Sequence, residues 1–201
     1  MLSAEDAATY RWHFDMLNDR DRNASYARAI ERATASVLSR RSDCSALDIG
    51  TGSGLLALLC AKSGCSAVAA VEQDEKLGAI AAENARACGY GDGTMVVCAG
   101  HSGTMRTTKK KSTSTSTSTA AAPSSEHHTW GVRLGKKRML KRRPDIIVSE
   151  VLDSGLLGED CIPTLRHAAT VLAPGGVMIP SRARVFAQVR ERDIQVCAGE
   201  V

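Results

Sequence analysis

The sequence predicts an α/β fold in which a largely parallel sheet is covered on both faces. Three observations support this prediction: short apolar runs alternate with helical patterns, a glycine cluster follows the first run, and acidic residues stand at the ends of two later runs. Alternating strands and helices favour a parallel sheet, because each helix returns the chain to the same edge. At 201 residues, the chain is long enough for one domain with a substantial core.

The N-terminal segment, residues 1–41, is predicted to be helical from residue 9 onward. Ile30, Val37 and Leu38 follow a helix-like spacing. Asn23 is a candidate N-cap, because asparagine side chains accept hydrogen bonds from the free N–H groups of a first turn. The chain therefore begins with helix, and the sheet begins after residue 41.

The core, residues 42–192, contains the alternation that defines the fold class. Glycines follow two of its helical patterns, as is typical of helix C-termini. Residues 193–201 are predicted to begin a further region. The predicted strands are 44–49, 67–71, 94–99, 145–149, 177–179 and 183–189, and the predicted helices are 55–62, 77–88 and 162–172.

Residues 106–143 interrupt this order with a basic, low-complexity stretch that has no apolar periodicity. The stretch carries a net charge of +10, and since the whole chain carries +4, the remainder carries −6. Such a composition buries too little apolar surface to offset the entropy of ordering, so we expect a disordered loop. Its basic cluster at 136–143 is either a solvated charged loop or a nuclear-targeting or acidic-partner patch.

Several classes of protein are excluded by composition. No apolar run approaches the roughly 20 residues of a membrane span, and no apolar stretch resembles a signal peptide, so we expect a cytoplasmic or nuclear protein. The seven cysteines are scattered without a C-x-x-C pair, which favours reduced thiols over disulfides or a metal site. The acidic remainder of the chain disfavours direct binding of a nucleic acid.

A glycine-rich turn is the first motif that predicts a ligand. Gly50, Gly52 and Gly54 lie between a predicted strand and a predicted helix, and their missing side chains let backbone N–H groups approach a ligand closely. Glu72 ends the next strand, 22 residues after Gly50, near the distance of about 20 residues at which an acid reaches ribose hydroxyls. Dinucleotide enzymes usually have G-x-G-x-x-G facing a pyrophosphate, whereas this chain has G-x-G-x-G preceded by Asp48.

A pair of glutamates is the second motif. Glu150 follows the strand at 145–149, where ligands bind in open α/β sheets, and a loop containing Gly155 and Gly158 can bring Glu159 beside it. Two carboxylates in one pocket need a cation between them or a shared proton. A guanidinium suits them, because it is planar, always charged and offers five donors. The pair can fix its plane, localise its charge and accept a proton.

Together these motifs resemble class I S-adenosylmethionine-dependent methyltransferases, and within them the protein arginine N-methyltransferases. The glycine turn with Asp48 is similar to motif I, and Glu150 to Glu159 is similar to the double-E loop, with the same nine-residue separation. Residues 12–23 are similar to the N-terminal helix of the branch that holds the seventh and ninth animal members. The resemblance implies a Rossmann-like core, S-adenosylmethionine as cofactor and an arginine-containing protein as substrate.

The resemblance also implies roles for individual residues, with the two glutamates as the catalytic pair. The N-terminal helix closes over the cofactor, where Arg22 binds the methionine carboxylate, with Arg20 as the alternative, and Met16 lines the active site. Ser102 contacts adenine at a position where the family often has an acid. The other cofactor-binding residues are Asp48, Gly50, Gly52, Gly54 and Glu72.

The family also has a C-terminal β-barrel, with a dimerisation arm and a Thr-His-Trp loop. This chain ends at Val201, where that barrel would begin, so we expect a substrate pocket that lacks one wall. We expect a homodimer only where the C-terminal half is present. Two alternatives stay open: a non-catalytic module that binds S-adenosylmethionine or a partner, and a class I methyltransferase that acts on a small molecule.

Overall fold

The computed structural model describes residues 10–91, 93–109, 130–134, 136–152, 156–157 and 159–185. Its elements in chain order are α1 (Arg11–Asn18), α2 (Arg20–Leu38), β1 (Ser45–Ile49), α3 (Leu55–Lys62), β2 (Ala67–Glu72), α4 (Glu75–Ala87), β3 (Met95–Ala99), a 3-10 turn (Ser102–Thr104), β4 (Met105–Lys109), β5 (Trp130–Leu134), β6 (Lys137–Leu140), β7 (Ile146–Ser149), α5 (Cys161–Val171) and β8 (Val177–Ile179).

The main sheet has five strands in the order β3-β2-β1-β7-β8, and all neighbouring pairs are parallel. This confirms the predicted α/β class with a largely parallel sheet. Strands β1 and β7 are buried along their whole length, which explains why their sequences are near-continuous apolar runs. The strand order reverses between β1 and β7, and the carboxyl ends of the strands at such a reversal are where ligands bind.

One face of the main sheet is covered by helices α2, α3 and α4. Ile30 and Val37 of α2 pack with Leu56 and Cys60 of α3 against the alternating side chains of the central strands. Burial of each of these isoleucine, valine and leucine side chains stabilises the fold by about 1.5–3 kcal/mol. This layer holds α3 directly behind the glycine turn from which it begins.

The other face is covered by α5 and by a small antiparallel sheet in the order β4-β5-β6. The prediction of a disordered loop at 106–143 is wrong at its ends, because 106–109, 130–134 and 137–140 form these strands. Residues 110–129 lie outside the described part of the chain. Met105, Val132 and Leu134 are buried against the main sheet, so alternating apolar residues order these short strands despite their charged neighbours.

The N-terminal segment forms two helices rather than one, and Asp19 ends the first and caps the second. Its side chain accepts a hydrogen bond from the N–H of Arg22 at 2.9 Å. The predicted cap Asn23 lies within the helix and donates instead to the carbonyl of Leu17 at 2.9 Å. The predicted strand at 183–189 is also wrong where it can be checked, because residues 183–185 form no strand.

The described residues include no helix long and apolar enough to cross a membrane. They include no cluster of His, Cys, Asp or Glu arranged to hold a metal ion. Six cysteines are free thiols, five of them buried, and Cys197 lies outside the described residues. Cys44 and Cys65 are neighbours, with their Sγ atoms 3.6 Å apart at the start of the first two strands.

Candidate active site

A cavity of about 790 Å³ opens at the carboxyl ends of the strands, where the strand order reverses. The loops after β1, β2, β3 and β7 form its floor, and α1 with the start of α2 forms one wall. Eight of the ten residues predicted from the sequence line it: Met16, Arg22, Gly50, Gly52, Glu72, Ser102, Glu150 and Glu159.

The turn after β1 requires glycine at the two positions that face this cavity. Gly50 has a φ of +71°, and a Cβ atom there would lie 2.8 Å from Cγ1 of Val151. Gly52 has a φ of +56°, and a Cβ atom would lie 2.5 Å from Cε1 of His13. Both conformations disfavour other residues, and both contacts leave no room for a methyl group. The missing side chains therefore bring the loop after β7 and helix α1 onto the turn.

The two remaining predicted residues lie behind the turn and do not line the cavity. Gly54 precedes α3, and a Cβ atom there would lie 3.3 Å from Cβ of Ala81 in α4. Asp48 is fully buried, and its Oδ2 accepts hydrogen bonds from Thr51 Oγ1 at 2.6 Å and from the N–H of Ala57 at 3.0 Å. Burial raises the pKa of Asp48 to about 7. Asp48 and Gly54 therefore stabilise the turn from the side that faces the core.

Glu72 holds the turn from the neighbouring strand. Its Oε2 accepts a hydrogen bond from the N–H of Gly52 at 2.8 Å, and its Oε1 accepts one from the N–H of Asp74 at 2.9 Å. The side chain is 7% exposed and faces the cavity. Since each carboxylate oxygen has two lone pairs, Glu72 can accept hydroxyl hydrogen bonds while it keeps both backbone partners.

His13 is a site residue that the sequence analysis missed. It lies on α1, 7% exposed, packs over Gly52 and accepts a hydrogen bond at Nε2 from the N–H of Ser53 at 3.2 Å. Burial lowers its pKa, against the raising effect of Glu72. The bond at Nε2 assigns the proton of the neutral ring to Nδ1, which has no partner among the described residues. Its i, i+3 spacing to Met16 was the available signal, because such residues share a helix face.

Arg22 lies at the junction between the helical wall and the loop after β7. Its Nη2 is 2.9 Å from Oε2 of Glu150, and both side chains are 19% exposed. Nη2 is also 3.5 Å from the sulfur of Met16, and the guanidinium lies 5.4 Å from the ring centroid of Tyr26. The rival Arg20 is exposed and does not line the cavity. Geometry therefore favours Arg22 over Arg20 for a ligand-binding role.

Tyr26 is a second residue without a signal in the sequence. Its hydroxyl donates to the carbonyl of Ser149, the last residue of β7, at 3.1 Å. Burial raises the pKa of Tyr26 to about 12, and the carboxylate of Glu150 adds to the effect. Tyr26 thereby fixes the end of β7 relative to α2, and with it the position of Glu150.

The two predicted glutamates line the same cavity from opposite ends of one loop. Glu150 follows β7 directly and is held by its ion pair. Glu159 is exposed and stands two residues before α5. Between them, Asp153, Gly155 and Gly158 lie outside the described residues. The cavity thus has two carboxylates available to a cationic group.

Ser102 marks the opposite side of the cavity, where the chain leaves β3. It begins the 3-10 turn and is partly exposed at the cavity wall. His101 accepts the N–H of Gly103 at 3.1 Å, and Gly100 donates to the carbonyl of Glu72 at 2.8 Å. The backbone around Ser102 is therefore tied to the end of β2, which leaves the serine hydroxyl at the cavity edge.

Comparison with known proteins gives a family and several relatives. A family model described as a methyltransferase domain matches residues 19–193. An Arginine N(omega)-methyltransferase of Streptomyces achromogenes subsp. streptozoticus is 34% identical over 91% of this chain and 41% of its own length. A Protein arginine N-methyltransferase 7 of Aedes aegypti is 32% identical over 88% of this chain and 22% of its own length. The predicted similarity to arginine methyltransferases is confirmed.

A solved structure agrees with these matches. The crystal structure of Arabidopsis thaliana protein arginine methyltransferase 10 superposes with a TM-score of 0.57 at 25% identity, over 83% of this chain and 37% of that one. The predicted Rossmann-like fold is thereby confirmed. The chain spans less than half the length of the relatives that it matches.

Proposed function

Because the chain belongs to the methyltransferase domain family, we propose that it transfers a methyl group from S-adenosylmethionine to a guanidino nitrogen of an arginine in a protein substrate. The relatives named for arginine methylation support this activity. The location expected from the sequence, cytoplasmic or nuclear, stays a prediction.

The residues of the cavity fit S-adenosylmethionine. A ribose can be bound by Glu72, and a carboxylate by Arg22, whose Nε is buried without a partner among the described residues. Ser102 can accept a hydrogen bond from the adenine amino group. Gly50 and Gly52 shape the turn that lines the cavity, with Val151 and His13 packed over them. When bound, S-adenosylmethionine supplies an electrophilic methyl group on its sulfonium sulfur.

The two glutamates prepare the acceptor. Glu150 uses Oε2 for its ion pair with Arg22, so Oε1 is available to a substrate guanidinium. Glu159 can bind the same group from the other end of the loop, which fixes its plane and localises its charge away from the reacting nitrogen. The methylated nitrogen must release one proton, and the exposed Glu159 can accept it and pass it to water.

One observation carries this proposal more than any other. Glu150 and Glu159 line the same cavity as the glycine turn and Glu72, so a methyl donor and a guanidinium can be bound side by side. A cofactor-binding module without catalysis has no need of this further pair of carboxylates beside Glu72.

The test is methyl transfer by the purified full-length polypeptide. It is incubated with S-adenosylmethionine and an arginine-rich peptide, and methylarginine is measured by mass spectrometry. We expect methylated arginine and no product from a matched lysine-rich peptide. Tight cofactor binding in calorimetry without methylarginine would instead support a non-catalytic module.

Free arginine is the second candidate acceptor. The name of the Streptomyces relative mentions arginine and not a protein, and a single guanidinium satisfies both glutamates equally well. Free L-arginine is therefore compared with the peptide in the same assay. A higher kcat/KM for free arginine than for the peptide would indicate that the acceptor is the free amino acid and not an arginine in a protein.

A further inference from the structure

The small sheet carries arginine at three facing positions. Arg106 of β4 pairs in register with Arg133 of β5, and Arg133 pairs with Arg138 of β6 next to a β-bulge. Neighbouring strands lie about 4.8 Å apart, so the three positions span roughly 10 Å. Like charges directly opposite each other destabilise a sheet. This arrangement is therefore unfavourable for folding and suited to holding an anion.

No carboxylate of the described residues neutralises Arg106 or Arg133. Arg106 is exposed, and its Nη1 donates to the carbonyls of Gly103 at 3.0 Å and Met105 at 2.7 Å. Arg133 donates from Nη2 to the carbonyl of Lys136 at 3.0 Å. These bonds orient each guanidinium but use only part of its five donors. By contrast, Arg142 in the same segment has carboxylate partners.

An exposed lysine, Lys136, extends the positive charge along the turn before β6. Lys137 pairs with Leu134, and its Nζ donates to the carbonyl of Val97 in β3 at 2.8 Å, so it lies on the side of the main sheet. Arg106, Arg133 and Lys136 form what is here termed the arginine face. It lies on the side of the small sheet opposite Met105 and Val132, which are buried against the main sheet.

The charge distribution indicates which kind of partner can bind the arginine face. Residues 106–143 carry +10 and the remainder of the chain carries −6, so the surface that attracts an anion is confined to this segment. A short acidic segment can cover it, whereas a long nucleic acid would also cross acidic surface. Arg106 and Thr108 alternate outward in β4, and neither offers an aromatic ring on which a base could stack. We propose that the arginine face binds a short acidic segment of a partner protein.

The proposal is tested by fluorescence anisotropy with a labelled peptide of eight glutamates. We expect the full chain to bind it, and the affinity to fall as salt is raised. Arg133→Glu should weaken binding at least about tenfold, roughly as expected for a lost and reversed charge-assisted contact. Arg106→Gln should weaken it less. The matched control, Arg32→Glu on the exposed surface of α2, changes net charge equally and should leave the affinity within about twofold, since screened distant charges contribute little.

Folding stability separates this role from a structural one. Arg133→Glu places an acid opposite Arg106, so we expect its melting temperature to be unchanged or higher. Three outcomes would overturn the proposal: no peptide binding, an equal loss in Arg32→Glu, or tighter binding of a labelled oligouridylate that depends on the same arginines. All readouts are binding and melting, so the result is independent of the proposed methyl transfer.

Discussion

The two ends of the cavity are built in different ways. At the glycine turn, the polar side chains are buried and have partners inside the fold, as Glu72 and Asp48 each accept two hydrogen bonds. At the other end, Glu150 is partly exposed with one ion pair, and Glu159 is exposed. The side chains at the glycine turn are thus held in place by contacts within the fold, whereas Glu150 and Glu159 keep carboxylate oxygens free to bind a ligand. Substitutions at the glycine turn should accordingly affect cofactor affinity and folding stability, and substitutions of the glutamates should affect turnover.

Glu150→Gln tests the acceptor end and should have the largest effect. The amide keeps the shape of the side chain but loses the charge that aligns a guanidinium, so we expect turnover to fall at least about 100-fold. The dissociation constant of the cofactor, measured by calorimetry, should change little. Glu31→Gln on α2, an exposed acid, is the control. Wild-type turnover in Glu150→Gln would remove this residue from the mechanism.

Arg22→Ala tests the junction between the two ends. It removes a charge-assisted bond worth about 1.5–3 kcal/mol, so the dissociation constant of S-adenosylmethionine should rise roughly 10- to 100-fold. Arg20→Ala provides the matched control, because Arg20 is exposed and does not line the cavity. A larger loss of affinity in Arg20→Ala than in Arg22→Ala would reverse the assignment between the two arginines.

Gly52→Ala tests the rigidity of the glycine turn. The added methyl group would lie 2.5 Å from Cε1 of His13, and the residue would have to keep a φ of +56°. We therefore expect a loss of about 1–3 kcal/mol in folding stability and weaker cofactor binding. Thermal unfolding measures the first effect and calorimetry the second. Gly89→Ala is the control, because it has a φ of +79° with nothing within 4 Å. A similar loss in both would attribute the effect to backbone strain alone.

His13 should give the smallest effect, as a pH dependence of stability. Its folded pKa lies below the ordinary 6.5, so below pH 6.5 the unfolded chain binds more protons and stability falls as pH falls towards the folded pKa. The slope cannot exceed about 1.4 kcal/mol per pH unit. His13→Gln should flatten this part of the profile in urea unfolding at pH 7.5 and 5.5. An unchanged profile in His13→Gln would contradict the assignment.

The sequence predicted the main sheet well because its central strands are buried on both faces. Strands such as β1 and β7 leave apolar runs that cannot be exposed. The small sheet escaped prediction because β4 and β5 are separated by 20 residues of low-complexity sequence and carry charges on one side. Its signal was the alternation of Val132 and Leu134, which is too short to outweigh the surrounding composition.

The site residues were predictable to different degrees for a related reason. Gly50, Glu72 and Glu150 stand at strand ends, and the topology of a parallel sheet brings strand ends to one edge. Asp48 and Gly54 belong to the same motif, yet their side of the turn faces the core, which spacing alone does not reveal. His13 and Tyr26 come from helices whose docking angle depends on packing, so their roles appear only in three dimensions.

By itself the sequence determined the fold class, the ligand-binding edge of the sheet and the residue types that meet there, because hydrophobic periodicity and glycine spacing are local properties. Tertiary structure alone decided which groups become partners. The pairing of Arg22 with Glu150 and the facing of Arg106 and Arg133 join segments far apart in the chain. Such pairings depend on how helices and strands pack, because the position of a charged residue in the sequence does not specify which side chains will become its neighbours.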